Sequence, residues 1–140
     1  MAQERTLCII KPDAMRQRRQ GAVLQRLLDE GFEVLAMRQL RLTRRVAEGF
    51  YAVHRGKAFF EGLCTFMTSG PIVVMALQRA DAVRHYRGVI GATDPGQAAE
   101  GTLRKLYGAN VCENAVHGSD SVDNGRLECA YFFPESDLIG

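Results

Sequence analysis

Apolar and polar positions follow two rhythms along this chain, and the switches between them outline its elements. The run TLCIIK (6–11), closed by Pro12, is a short unbroken apolar stretch that predicts a buried strand. In AVLQRLLDEG (22–31) the residues Val23, Leu24, Leu27 and Leu28 repeat at helical spacing, and Gly31 suits the position after a helix end. FEVLAMRQLRL (32–42) predicts a second strand. Thr43 is placed to cap a helix with the stripe Val46, Phe50 and Val53. A further helix follows, with Phe60, Leu63, Cys64 and Met67 on one face. SGPIVVMALQ (69–78) predicts a turn and a strand, Asp81 the cap of a helix striped by Val83, Tyr86 and Ile90, and ECAYFF (128–133) a last strand.

Residues 91–127 fit neither rhythm: glycines and polar residues are scattered through them with weak periodicity. A structureless segment that long is uncommon in a compact domain and is usually functional. The order of elements is compatible with a parallel α/β sheet or with an α+β sandwich, and periodicity does not choose between them.

A length of 140 residues predicts one domain, 1–140, large enough to bury a core without a metal or disulfide staple. The net charge of +2 gives no global signal for nucleic acid, but phosphate-bearing small molecules need only local positive charge. The four cysteines, Cys8, Cys64, Cys112 and Cys129, form no CxxC pair, which predicts reduced thiols, with Cys8 and Cys129 as small core residues. No secretory pattern opens the chain and no apolar run approaches ~20 residues, so the expected location is cytoplasmic and off the membrane.

The chemistry has to be assembled from dispersed residues. There is no glycine-rich phosphate loop, no GxGxxG, no HExxH and no histidine pair at ligand spacing. His117 stands alone in NAVHGSDS (114–121). One reading is a surface histidine in a turn. The other is a nucleophile, because a neutral imidazole attacks phosphorus and holds the phosphoryl group covalently. On that reading Gly118 leaves room for a bulky substrate, and Ser119 and Asp120 bond the local backbone.

Six blocks occur in order: KPDA (11–14), HRGKAFFEGL (54–63), SGP (69–71), GATDP (91–95), GTLRKLYG (101–108) and NAVHGSDS (114–121). Together they resemble the nucleoside diphosphate kinases, from about Glu4 to Phe133. The resemblance implies a ferredoxin-like α+β sandwich: a four-stranded antiparallel sheet with helices packed on it and a long functional loop before the last strand. It implies transfer of the terminal phosphate of a nucleoside triphosphate to a diphosphate, by a ping-pong route through a phosphohistidine on the pros nitrogen of His117, maintaining triphosphate pools. Mg²⁺ would be held mainly by the nucleotide phosphates, with no protein side chain as ligand. By matching motif, Lys11, Arg87, Thr93 and Arg104 would contact phosphates, Lys11 the sugar as well, Phe59 the base and Asn114 the ribose. Tyr51 would sit near the transferred phosphate, and Ser119 and Glu128 would support the histidine. Phe60 belongs to an apolar stripe, so Phe59 should point elsewhere. Stacking on an aromatic ring accepts every base, and broad specificity follows.

The chain departs from the family in places. Glu113 stands where many relatives carry arginine and is expected to face away from the anion site or toward a subunit contact. MRQRRQG (15–21) replaces the commoner arginine–glycine turn, with Gln17 opposite a structural arginine, so Arg16 or Arg18 is expected to substitute; the basic run is read as a solvated face rather than a nucleic-acid patch. The chain stops soon after FFPESDLIG, as in bacterial members that form tetramers, so the expected partners are ATP, other nucleoside di- and triphosphates and copies of the chain, a tetramer before a dimer or hexamer. The rival class is a non-catalytic nucleotide or nucleic-acid module, disfavoured because Lys11, Arg104, Asn114 and His117 are all in place.

Overall fold

A computed structural model describes residues 2–139. Strands β1 (Gln3–Ile10), β2 (Glu33–Leu40), β3 (Ile72–Ala80) and β4 (Val116–Gly118) form one sheet in the order β2-β3-β1-β4, every pair antiparallel. The helices are α1 (Pro12–Arg16), α2 (Gln20–Asp29), α3 (Arg44–Phe50), α4 (Phe60–Met67), α5 (Ala82–Ile90), α6 (Leu103–Tyr107), α7 (Val122–Phe132) and α8 (Glu135–Leu138). Tight 3₁₀ turns lie at Ala52–His54 and Pro95–Gln97. This is the α+β, ferredoxin-like arrangement rather than a parallel sheet. Among the described residues no helix is long and apolar enough to cross a membrane.

The central strands carry unbroken apolar runs, Leu7 to Ile10 in β1 and Ile72 to Leu77 in β3, because both faces of the sheet are covered there. Cys8 and Ile10 of β1 and Val73, Met75 and Leu77 of β3 pack with Val23, Leu27, Tyr86, Ile90 and Leu103. The alternate residues Leu7, Ile9, Ile72, Val74 and Ala76 pack on the other side with Ala47, Phe60, Cys64, Met67, Cys129 and Phe132. The cysteines are unbridged, and burial pushes the Cys8 and Cys129 thiols up to about 12.

Several boundaries follow the sequence rhythm. Thr43 caps α3, its hydroxyl accepting from the Val46 amide at 3.2 Å, and Gly31 has the left-handed φ of +83° expected after α2. Asp81 occupies the cap position of α5 but makes no side-chain cap bond, because its backbone is itself left-handed at φ +56°. Val53 is exposed beyond the end of α3, and Ala47 takes the buried place on that helix.

The last strand is misplaced by the sequence reading. ECAYF (128–132) is the second half of α7, with Phe133 as its extended cap residue, and the fourth strand is the short β4, which contains His117. Extended propensity in Tyr131 and Phe132 lost to a helical signal: Ser121 caps α7 through the Asn124 amide at 3.1 Å, and the buried positions Gly125, Cys129 and Phe132 are spaced by four and three. Gly125 lets α7 lie directly on β1; a Cβ there would stand 2.2 Å from the Arg5 carbonyl oxygen. Gly125→Ala should therefore lower stability by about 3 kcal/mol, read as a drop in the urea midpoint. An unchanged midpoint would show that helix and strand separate more easily than this packing allows.

Candidate active site

The edge of the sheet at β4 positions the histidine. β4 pairs with β1 in the register Ile9↔His117, so the imidazole is carried by a strand and not by a flexible turn. The His117 carbonyl accepts from the Tyr86 hydroxyl at 2.9 Å. Gly118 is needed for this contact. A Cβ on it would meet Tyr86 Cε2 and Ile90 Cδ1 at 2.9 Å each, so its missing side chain makes room for the core, not for substrate as the sequence reading had it.

His117 Nε2 lies 2.8 Å from Glu128 Oε1, and the Ser119 hydroxyl donates to that same oxygen at 2.7 Å. Ser119 is fully buried and accepts from the Leu7 amide at 3.0 Å, tying the pair to β1 rather than to the local backbone. Asp120 instead takes a hydrogen bond from the Asn124 side chain at 2.6 Å, at the start of α7. A carboxylate only accepts, so Nε2 carries the imidazole proton and Nδ1 keeps the lone pair. Phe50 closes one side, its ring edge-on to the imidazole at a centroid distance of 5.4 Å. Tyr51, buried, packs on Phe50 at 4.9 Å, and burial raises its hydroxyl pKa further above the usual phenol range.

A cationic group forms next to this pair. Lys11, at the end of β1, is buried, and its Nζ donates to Asn114 Oδ1 at 2.8 Å and to the Cys112 carbonyl at 2.9 Å. Burial is the main reason its pKa falls to about 8. Asn114 Nδ2 donates to the carbonyls of Thr93 (3.0 Å) and Val111 (3.2 Å), so this buried amide joins three segments. Arg104 on α6 donates to the Gly91 carbonyl at 3.0 Å and to the Val116 carbonyl at 2.9 Å, while its Nε is buried without a partner. Its pKa is lowered first by burial, with repulsion from Arg87 adding to it. Arg87 and Thr93 are exposed.

Phe59 is half exposed while Phe60 is buried, with the His54 ring edge-on to Phe59 at 5.1 Å and the Lys57 ammonium 5.8 Å from its centre. His54, outside the sequence-derived site, is held toward the neutral form by burial and by Lys57. Glu113 is paired within the chain: Arg16 bonds it at 3.1 Å. Gln17 donates to the Tyr107 carbonyl at 3.0 Å. Arg19 lies over the Tyr107 ring at 5.1 Å, so two of the three arginines in the basic run are engaged.

Sequence reasoning missed Asp13 and Phe50. Asp13 Oδ2 accepts from the Ala115 amide at 2.9 Å across 102 positions; its place in KPDA was the available signal. Phe50 was read only as part of an apolar stripe. Two surface grooves, of about 540 and 230 Å³, lie elsewhere, around Arg79 at one end of the sheet and between α2 and β2. The donors gathered near His117 are ammonium, guanidinium, amide and hydroxyl groups, a set that suits phosphate oxygens. Among the described residues no three His, Cys, Asp or Glu side chains cluster to hold a metal.

Comparison with known proteins finds relatives along nearly the whole chain. The nucleoside diphosphate kinase family profile matches residues 4–138. A nucleoside diphosphate kinase of Sorangium cellulosum is 64% identical over 133 residues, covering 95% of this chain and 92% of that one. One from Salinibacter ruber is 50% identical over 139 residues, covering 99% and 98%. The crystal structure of the Aquifex aeolicus nucleoside diphosphate kinase superposes with a TM-score of 0.96 at 39% identity, covering 99% of this chain and all of that one. The Halobacterium salinarum enzyme in complex with CDP gives 0.94 at 38% identity, covering 99% and 93%. The chain belongs to the nucleoside diphosphate kinase family.

Proposed function

We propose that this protein is a nucleoside diphosphate kinase that works by a ping-pong route through a phosphohistidine at His117, within one domain spanning residues 1–140. The observation that carries the reading is the Glu128–His117 bond of 2.8 Å, which leaves the lone pair on Nδ1. That lone pair attacks the terminal phosphorus of a nucleoside triphosphate. The N–P bond forms as the P–O bond to the diphosphate breaks, and the electron pair leaves on the diphosphate oxygen. His117 becomes a phosphorylated imidazolium whose Nε2–H faces the Glu128 carboxylate. A second diphosphate then reverses the step and leaves as a triphosphate. Interconversion of this kind maintains triphosphate pools.

Phosphoryl transfer asks the protein for alignment and charge compensation more than for covalent chemistry. Lys11, Arg87 and Arg104 offer positive charge, Thr93 a hydroxyl, Asn114 an amide for the ribose, and Phe59 a half-exposed ring for the base. Mg²⁺ suits this donor set as an ion carried in on the phosphates, where it would neutralise their charge. None of these groups reads the base edge, which supports broad specificity. The open outer edge of β2, with Met37 half exposed, supports self-association of the chain.

Incubation with γ-labelled ATP and Mg²⁺ should place acid-labile label on His117, and addition of unlabelled GDP should discharge it as labelled GTP. Label on a hydroxyl residue, or none, overturns the reading. Glu128→Gln replaces one acceptor oxygen by a donor that competes for Nε2 and unsettles the tautomer. Its kcat should fall roughly ten- to hundredfold with KM little changed, in a coupled turnover assay.

A further inference from the structure

The KPDA block contains a buried carboxylate that the transfer step does not use. Asp13 is 6% exposed; Oδ2 accepts from the Ala115 amide, and Oδ1 is buried with no partner. One hydrogen bond does not account for a charge kept in the interior, since a neutral asparagine or serine would accept it as well. Ala115 itself is fully buried with φ at +74°, a left-handed conformation uncommon for a residue with a Cβ. It stands two residues before His117, and its carbonyl accepts from the Lys11 amide at 2.9 Å. The turn that opens α1 and the turn that opens β4 therefore grip each other through the amide and the carbonyl that flank a single strained residue.

The charge has a second neighbour. Lys11 Nζ is bonded to two neutral oxygens, and the titratable groups around it are Asp13 from α1, the Cys112 thiol from the segment before β4, and Arg104 from α6. Asp13 is the strongest of these and favours the ammonium, the neutral Cys112 thiol brings no net charge, and Arg104 acts against it. Arg16 and Glu113, farther along, neutralise each other. Phe66, against which the ammonium also sits at 5.7 Å, does not titrate.

We propose that Asp13 is a positioning residue for phosphoryl transfer: it locks the strained backbone at Ala115 that aligns the His117 strand, and it supplies the negative charge that supports the buried Lys11 ammonium. The proposal rests on the roles of Lys11 and His117 given above. It divides into a tether and a charge, and variants separate the two. Asp13→Ala removes both, and kcat/KM at neutral pH should fall roughly 10²-fold. Adding Ala115→Gly, which adopts positive φ without strain, should restore roughly tenfold of that loss. Asp13→Asn keeps an oxygen for the Ala115 amide but loses the charge. Its kcat/KM should be within about threefold of the parent at pH 6 and fall to roughly a tenth of it by pH 9, a one-unit acid shift of the alkaline limb.

The measurements use ATP and GDP with Mg²⁺ between pH 6 and 9, alongside phosphohistidine labelling of each variant. Asp13→Asn is nearly isosteric, so its pH profile remains readable even where Asp13→Ala fails to fold. An Asp13→Asn profile that runs parallel to the parent overturns the proposal, as does an Asp13→Ala rate within threefold of the parent. If the unsubstituted protein itself takes no label on His117, it is the catalytic reading that fails.

Discussion

His117→Gln should abolish phosphoryl transfer, lowering kcat by roughly 10⁴-fold or more, while nucleotide binding stays within a few-fold of the parent. The glutamine amide has a donor that can face Glu128, as Nε2 does at 2.8 Å, so the Ser119–Glu128 pair keeps a partner. It has no nitrogen lone pair available for attack on phosphorus, because amide resonance occupies it. Binding is spared because the groups assigned to the nucleotide are held without the imidazole: Lys11 by Asn114 and Cys112, Asn114 by Thr93 and Val111, Arg104 by Gly91 and Val116. Steady-state turnover with ATP and GDP gives the first number, and calorimetric titration with ADP the second. Turnover above about one per cent of the parent would mean that another nucleophile carries the reaction.

The proposed division, chemistry on one strand and binding on segments tied to it, matches what could be read from the sequence. The sheet was legible because β1 from Leu7 to Ile10 and β3 from Ile72 to Leu77 are unbroken apolar runs and α2, α4 and α5 keep a clean helical spacing. Fold class was not legible from rhythm, since a sheet covered on both faces looks alike whether parallel or antiparallel; motif resemblance supplied it. The segment from 91 to 115 looked structureless because its order comes from distant partners. Arg104 reaching Gly91, Asn114 reaching Thr93, and Asp13 reaching Ala115 leave no local periodicity. β4 is three residues long, too short to show alternation, and so the last strand was sought in α7. Gly118 was misread for a related reason: which way a missing Cβ would point depends on the pairing of β4 with β1 and its packing under α5.

The same long-range ties explain why a lysine as buried as Lys11 is tolerated. Its two bonds are to neutral oxygens, and burial pulls its pKa from 10.5 to about 8. Glu113, the carboxylate whose presence beside an anion site looked paradoxical, is spent on Arg16. The protein therefore holds positive charge that its own groups only partly compensate, of the sign that suits phosphate.

Lys11→Met tests this arrangement on two axes. Loss of the ammonium should lower kcat/KM roughly 10²- to 10³-fold, the scale of removing one fixed donor from developing negative charge. The parent should lose kcat/KM as pH rises through about 8, where Lys11 in the free protein gives up its proton; the methionine variant should lack that limb. Stability should run the other way. Between pH 8 and about 10.4 the unfolded chain keeps a proton on this lysine that the folded chain has released, so stability rises with pH across that window. The rise amounts to about 3 kcal/mol for a shift of this size. In Lys11→Met that component of the slope should vanish, whatever the variant's absolute stability after losing the donor to Asn114 and Cys112. Urea unfolding of both proteins at pH 7, 8, 9 and 10 gives the comparison. Parallel slopes would show that Lys11 titrates as an ordinary surface lysine. Divergent slopes with a lost alkaline limb would show one buried charge setting stability and turnover in opposite directions.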